Sequence, residues 1–495
     1  MIYNKLLYQM YNLIRKNFDE KNYDQANKIA FEIYNKDKEN DRICKIIGEI
    51  YLKKKKFELS EKFFKKAIKL NPIQDNFFSI GNFYLQTEKF KKAIKFYEKI
   101  KIDKKTNNII LNNLSFCYFN TFNFEKSIKL LNFALDKEKD NHFIIYNLAN
   151  IYKEIDELSK AEILYNKALK FDPKNQNYLF NKSLVLLKKK NYKKAWPLYD
   201  TRIELRNKNN KIFNLIKDKI YNKQFLPKNK KFKFCIIPEQ GVGDQLLFSS
   251  MYPDIIKRYP NTFIFTDKRL QDTFKNTYKF KNFIDLKDIR KIKELLNNNY
   301  QFLYAASLGK FCRNEHKDFL NTTKLNVNLK IKNNIIKRLK KYKGKKLIGI
   351  SWYSESKSLK SKSLKIDFFS DLLKKENCVF INLQYGNAAN EISKLSLYKN
   401  KIIDFSDIDI YNDFDSLIAL IDCLDLVITI DNINLQIAGL LEKMTYVITP
   451  FNNEYILYSK SNEGVCDWYH NTKIFYLDIF KKNTKSIFNQ IIKRI

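Results

Sequence analysis

Four short stretches in the C-terminal half gather the residue types that hold anions and move protons. The first is Glu239-Gln240-Gly241-Val242-Gly243-Asp244, inside KFKFCIIPEQGVGDQLLFSSMYPDII. A β-branched and aromatic run at about 232–238 reads as a strand, Gly-x-Gly as a turn, and the segment from about Asp244 as an amphipathic helix. Without side chains at Gly241 and Gly243, a substrate can approach the backbone amides at the positive end of that helix, with Glu239 and Asp244 as carboxylates beside it. The same residues also suit a plain tight turn in which Asp244 caps the helix. The second stretch is the strand LIGISW and the polar loop YSESKSLKSKSLKIDF. Its Ser351, Ser354, Lys362 and Ser363 could contact a diphosphate, Lys acting as a point charge; a solvated Ser/Lys surface loop has the same composition.

The third stretch, VFINLQYGNAANEI, is a buried-type strand ending at Gln384 and Gly386, with Glu391 one turn into the next helix. Glu391 could accept from a ribose or sugar hydroxyl, or simply complement its helix dipole. The fourth, LDLVITIDNINLQIAGLLEKMTYVITP, reads as strand, turn, packed helix and strand; Asp431 and Asn432 sit at the strand end, and Ala438 and Gly439 permit close packing. DIYNDFDSLIALIDCLD supplies a helix before it. These elements must form an open parallel sheet, where ligands bind beyond the carboxyl ends of strands. The chain has only ten glycines, far below the average usage of about seven per cent, so each marks a place where a side chain is not tolerated.

The N-terminal half repeats with a period of 34 residues. Gly48, Tyr51, Ser60, Phe64, Ala67 and Pro72 are followed in register by Gly81, Tyr84, Ala93 and Tyr97, then by Ser115, Tyr118, Ser127, Leu131 and Ala134. Ala149, Tyr152, Ala161, Tyr165, Ala168 and Pro173 come next, then Ser183, Leu186, Ala195 and Tyr199; a weaker unit lies around Ala26 and Ile33. Small residues paired with aromatics at these spacings let two antiparallel helices pack closely. Residues 7–205 thus resemble tetratricopeptide repeats, an α-solenoid whose concave groove is expected to bind a peptide or partner protein, or whose array positions the domain that follows.

At 495 residues the chain calls for two or three domains. The net charge of +38 suits nucleic acid or an anionic membrane, but the lysines run along the whole chain, so specific nucleic-acid binding is not expected and peripheral membrane association stays open. Seven scattered cysteines without a C-x-x-C fit a reduced compartment. The start lacks the apolar core of a signal peptide, and no window has the roughly 18 apolar residues of a membrane span, so a soluble, cytoplasmic protein is expected. The three histidines, His142, His316 and His470, fall in no metal-like grouping and read as surface or packing residues.

Together, P-E-Q-G-V-G-D at 238–244, G-I-S-W at 349–352, L-Q-Y-G at 383–386 and I-D-N-x-x-x-Q-I-A-G at 430–439 resemble the bacterial glycosyltransferase family 9, or heptosyltransferase-like, domain found behind tetratricopeptide arrays; AWPLYDTRIEL at 195–205 resembles the final repeat before it. The resemblance covers about 230–480. It implies α/β GT-B architecture with two Rossmann-like lobes: repeats over 1–206, a linker at 207–227, an acceptor-side lobe at 228–342 and a donor-side lobe at 343–495. It also implies transfer of a sugar from a nucleotide-sugar, bound as substrate without cofactor or metal, to a protein or saccharide acceptor positioned by the repeats. Asp244 would be the general base; Lys362 and the Asp431–Asn432 turn would hold the donor diphosphate, and Glu391 its nucleoside or sugar. Ser351, Ser363, Gln384 and Gln436 complete the donor set, and Glu239, Gln240, Gly241 and Gly243 the glycine loop. Gln436 stands where the family pattern has His; it can hydrogen-bond but carries no charge, so donor binding is expected to be weaker or different. The alternative is a non-catalytic repeat scaffold with a degenerate transferase domain.

Overall fold

A computed structural model describes residues 2–207, 210–239, 241–320, 323–354, 363–386, 388–395, 401–450, 466–477 and 484–495. The chain divides into two units, one of 1–155 with 166–172, the other of 156–165 with 173–495.

The first unit is a series of helical hairpins: Ile2–Asp19 with Tyr23–Lys36, Asp41–Lys53 with Phe57–Leu70, Gln74–Gln86 with Phe90–Tyr97, and Asn108–Asn120 with Phe124–Lys137, followed by His142–Glu154. The small residues of the 34-residue pattern lie where paired helices cross. Ser60 Oγ donates to the Gly48 carbonyl at 2.7 Å, and the Ser115 and Ser127 hydroxyls meet at 2.7 Å. A Cβ on Gly81 would fall 2.5 Å from the Tyr97 ring. Each hairpin turn is closed by a left-handed residue, Lys21, Lys55, Glu88 and Phe122, with φ of 62, 57, 55 and 63°. In the second hairpin, Lys56 N–H reaches back to the Tyr51 carbonyl at 2.9 Å and Lys55 N–H to Leu52 at 3.0 Å. That pair of bonds satisfies carbonyls the helix end would otherwise leave open. Asn40, Asn107, Asn123 and Asn141 accept at the helix starts with their side chains, the usual reason for Asn at that position.

The second unit opens with one more hairpin, Gln176–Lys188 and Tyr192–Tyr199, and continues into two parallel sheets. In the first sheet, β1 (Phe234–Ile237), β2 (Phe263–Thr266), β3 (Phe283–Asp285) and β4 (Gln301–Tyr304) take the order β3-β2-β1-β4. In the second, β5 (Lys346–Ile350), β6 (Cys378–Asn382), β7 (Ile402–Ile403), β8 (Leu426–Ile430), β9 (Thr445–Pro450) and β10 (Thr472–Leu477) take the order β10-β9-β8-β5-β6-β7. All their pairings are parallel. Parallel sheets are covered on both faces, which explains the unbroken apolar runs FCII and LVITI, buried at every position. One buried apolar cluster runs from Leu184 and Trp196 of the hairpin through Phe234 and Leu246 to Val427 and Leu435. The hairpin and both sheets of this unit therefore share a core.

Candidate functional site

The expected strand-turn-helix is present, with the helix beginning at Val242 and Gly241 as its N-cap. Asp244 lies in its first turn. This helix packs against Ile433–Leu440, which starts from the carboxyl end of β8. The packing brings Gly243 of the turn to Gln436, one helical turn beyond Asp431 and Asn432 at the end of β8.

Glycine environments separate two groups. A Cβ on Gly349 would come within 2.5 Å of Leu383 and Leu424, and one on Gly439 within 2.2 Å of the Tyr469 ring. Gly344 and Gly386 have φ of 88 and 83°, where a side chain is strained. Gly241 differs: among the described residues a Cβ there would meet nothing within 4 Å, and one on Gly243 only the Gln436 Cγ at 3.7 Å. None of the described neighbours requires glycine at either position.

The polar residues singled out at the carboxyl ends of β5, β6 and β8 converge, and several bond one another. Ser351 Oγ lies 2.6 Å from Thr429 Oγ1 and accepts from Asn432 Nδ2 at 3.1 Å. Asn432 Oδ1 accepts from the Asn434 N–H at 3.0 Å, capping its helix. Gln384 Oε1 accepts from the backbone N–H groups of Trp352 and Tyr353 at 3.0 and 2.8 Å. Glu391 accepts from Trp352 Nε1 at 2.5 Å, and Ser363 Oγ from the Ser354 N–H at 3.1 Å. Buried Gln436 accepts from the Tyr469 hydroxyl at 2.7 Å. Burial, then Cys466, Tyr278, Asp431 and Asp244, hold that phenol well above its usual range. Gln240 and Lys362 lie outside the described residues.

Glu239 lies apart from this group. It forms a two-point ion pair with fully buried Arg202, at 2.7 Å to Nε and 2.5 Å to Nη2, and accepts from the Ala306 N–H at 3.3 Å. Burial opposes the Arg202 charge, but Glu239, Asp200 and Tyr199 more than compensate and raise its pKa above the ordinary arginine value. Asp200 also accepts from Ser307 and Lys310 at 2.6 and 2.9 Å. Next to this network Trp196 donates to the Arg313 carbonyl at 2.6 Å and lies where a Cβ on Gly309 would come within 2.5 Å of its ring. AWPLYDTRIEL therefore anchors the last hairpin to the sheets of its own unit. A second anchor is Asp467, 1 % exposed, which accepts from Lys190 at 2.9 Å and from the Tyr192 hydroxyl and lies 3.1 Å from His316 Nδ1.

Sequence reasoning missed Gly309, although glycine scarcity was signal enough, and gave Tyr469 and Arg202 no role because their partners are 33 and 37 residues away. Among the described residues no group of three His, Cys, Asp or Glu is placed to hold a metal, and no helix is long and apolar enough to cross a membrane.

Residues 42–74, 75–101 and 144–175 match the tetratricopeptide repeat family model. The chain carries these repeats, a protein-binding module, ahead of an α/β region of parallel sheets. Protein FlbA of Caulobacter vibrioides is 25 % identical over 266 residues, 49 % of this chain and 43 % of the relative, so the match spans less than half the length of FlbA. Among solved structures, Pseudomonas aeruginosa pilF is 11 % identical, covering 42 % of this chain and 94 % of its own with a TM-score of 0.37. MamA from Desulfovibrio magneticus RS-1 is 15 % identical, covering 34 % and 95 %, with a TM-score of 0.32.

Proposed function

We propose that residues 228–495 form a glycosyltransferase of GT-B type, with a nucleotide-sugar at the carboxyl ends of the second sheet and an acceptor reaching it from the glycine turn. The observation that carries this reading is the pair Gly241 and Gly243, which no described neighbour requires and which lie beside Asp244 and across from Gln436. Asp244 takes the proton of the acceptor hydroxyl; the acceptor oxygen bonds to the anomeric carbon, and the bond from that carbon to the diphosphate breaks, the nucleoside diphosphate leaving with the electron pair. Backbone N–H groups at the start of Ile433–Leu440, with Lys362, offset the charge of the leaving group. The repeats bind the acceptor or a protein that delivers it, in the cytoplasm.

The test is calorimetry of the full chain against UDP, ADP, GDP, CMP and their sugar conjugates, with and without divalent metal. Binding to one nucleotide series, weakened at least tenfold by Gly241→Val and unaffected by EDTA, supports the reading. Silence across the panel removes it. A second reading, a repeat scaffold whose α/β unit has lost catalysis, is favoured by the bonds that Ser351, Gln384, Glu391 and Asn432 already make within the chain. Nucleotide binding with no sugar transfer to any co-purified acceptor, and no hydrolysis, would favour it.

A further inference from the structure

Five phenylalanines form a connected series of rings across the third and fourth hairpins of the repeats. Phe90 lies 6.0 Å from Phe116 between ring centroids, Phe116 6.4 Å from Phe119, Phe119 5.7 Å from Phe124, and Phe124 6.4 Å from Phe122. Phe90 and Phe124 each open the second helix of a hairpin, and Phe119 and Phe122 flank the end of Asn108–Asn120, so the series lies at the turn ends. Phe116 is 50 % and Phe122 43 % exposed. Apolar rings that adjoin one another and face water mark an interaction surface.

The repeats supply their own comparison. The residue after the small crossing residue is Asn82 in the unit before and Asn150 in the unit after, but Phe116 here. The left-handed turn position holds Lys21, Lys55, Glu88, Asp156 and Lys190 elsewhere and Phe122 here, at φ 63°. A bulky aromatic residue is disfavoured in that backbone region, and the other hairpins close the same turn with charged residues, so closing the turn does not call for it. A platform for nucleobases presents ring faces on which successive bases stack; three of the four ring contacts are instead edge-on, at 74, 60 and 76°. The surroundings are basic, with eleven lysines and five carboxylates in residues 88–137. Of those carboxylates, Glu125 lies 2.7 Å from Lys129 and Glu98 3.6 Å from Lys126. Lys89 and Lys91, on either side of Phe90, make no ion pair among the described residues. Like charge opposes a second copy of the chain at this place, and opposite charge favours an acidic partner.

We propose that this surface docks a segment of a partner protein that carries large apolar side chains and a net negative charge. The proposal rests on the protein-binding role of the repeats, names the partner chemistry, and is independent of sugar transfer.

The experiment selects short random peptides, displayed on phage, on the immobilised full chain, and measures the strongest of them by fluorescence anisotropy. Selected peptides should be rich in Leu, Ile, Phe and Met together with Asp and Glu. Their affinity should fall about tenfold in Phe116→Ala, the loss expected of a central apolar anchor, and about threefold in Lys89→Glu/Lys91→Glu, and should weaken as salt rises. Phe143→Ala, at another exposed ring of the repeats that is 62 % exposed, should change nothing. Should Phe116→Ala unfold the repeats, Phe122→Asn decides by the same loss, since Asn tolerates left-handed backbone. Peptides without an acidic bias, or affinities indifferent to Phe116 and Phe122, would overturn the surface while leaving the repeats a binding module. Equal loss in Phe143→Ala, or no selected peptide at all, would overturn it too. So would tighter binding of oligouridine that Phe116→Ala abolishes, or self-association in sedimentation that the same substitution removes.

Discussion

In residues 1–155 the close approaches are local: Gly48 meets Ser60 and Ser115 meets Ser127 at a separation of 12 residues, and the motif returns with the period of the repeat. In residues 173–495 the equivalent approaches are distant. Trp196 lies over Gly309 and donates to Arg313, 117 residues away, and Tyr192 reaches Asp467 across 275. A repeat unit can lose one crossing and keep its neighbours, since each hairpin packs mainly on the next. One apolar cluster of the α/β unit joins the hairpin to residues of both sheets, so a fault at one anchor is felt by hairpin and sheets alike.

The sharpest way to break this contrast is Arg202→Ala. It leaves Glu239, whose side chain is 4 % exposed, without its cation, and uncovering a buried partner costs about 3–5 kcal/mol. Urea unfolding should show the loss in the α/β transition. An unchanged midpoint would mean the network does not anchor the hairpin. Gly309→Ala comes next: its Cβ would meet the Trp196 ring at 2.5 Å, and overpacking of this kind costs about 1–3 kcal/mol. Gly48→Ala, by contrast, meets the Phe64 ring at 3.0 Å and gains helix propensity of about 1 kcal/mol, so its net effect should stay within about 1 kcal/mol. A loss as large as that of Gly309→Ala would erase the difference between local and distant packing.

Smaller still is Gly241→Ala, which should leave the thermal midpoint unchanged because no described neighbour stands within 4 Å; surface changes of this kind stay within about 0.5 kcal/mol. A marked drop would show that the glycine serves the fold, and would withdraw the observation on which the proposed site rests.

Two carboxylates, Asp267 of the α/β unit and Glu49 of the repeats, contribute to stability with opposite pH dependence. A hydrogen bond from Arg269 first, then its charge, holds Asp267 below its ordinary value of 3.8, so its stabilising contribution is present above that value and is lost as pH falls through the lowered one. Burial raises Glu49 in the repeats above 4.5; the stability it favours is present below that value and is lost as pH rises through the raised one. Asp267→Asn should therefore flatten acid destabilisation below about pH 4, and Glu49→Gln should remove a decline just above pH 4.5, both read from midpoints across a pH series. The same slope in both variants would refute the assigned causes.

The repeat register, the small and aromatic crossing positions, the strands FCII, LIGI and LVITI and the strand-turn-helix at Gly241 were all legible in the sequence. Each is a local pattern, carried by residues within one or two turns or strands of one another. The sequence also placed Ser351, Gln384, Asp431 and Asn432 at carboxyl ends of parallel strands, because an apolar run followed by a polar turn marks such an end. It could not tell which of their polar atoms the chain itself would use. Glu239, which read as a site carboxylate, is held by Arg202; Gln436, which read as a weakened phosphate contact, is oriented by Tyr469; Gly309 and Gly439 are small because of Trp196 and Tyr469. Those pairings depend on contacts between segments that local propensity does not bring together. Only the packing of Val242–Ser249 on Ile433–Leu440, and of the last hairpin on the sheets of its unit, decides them.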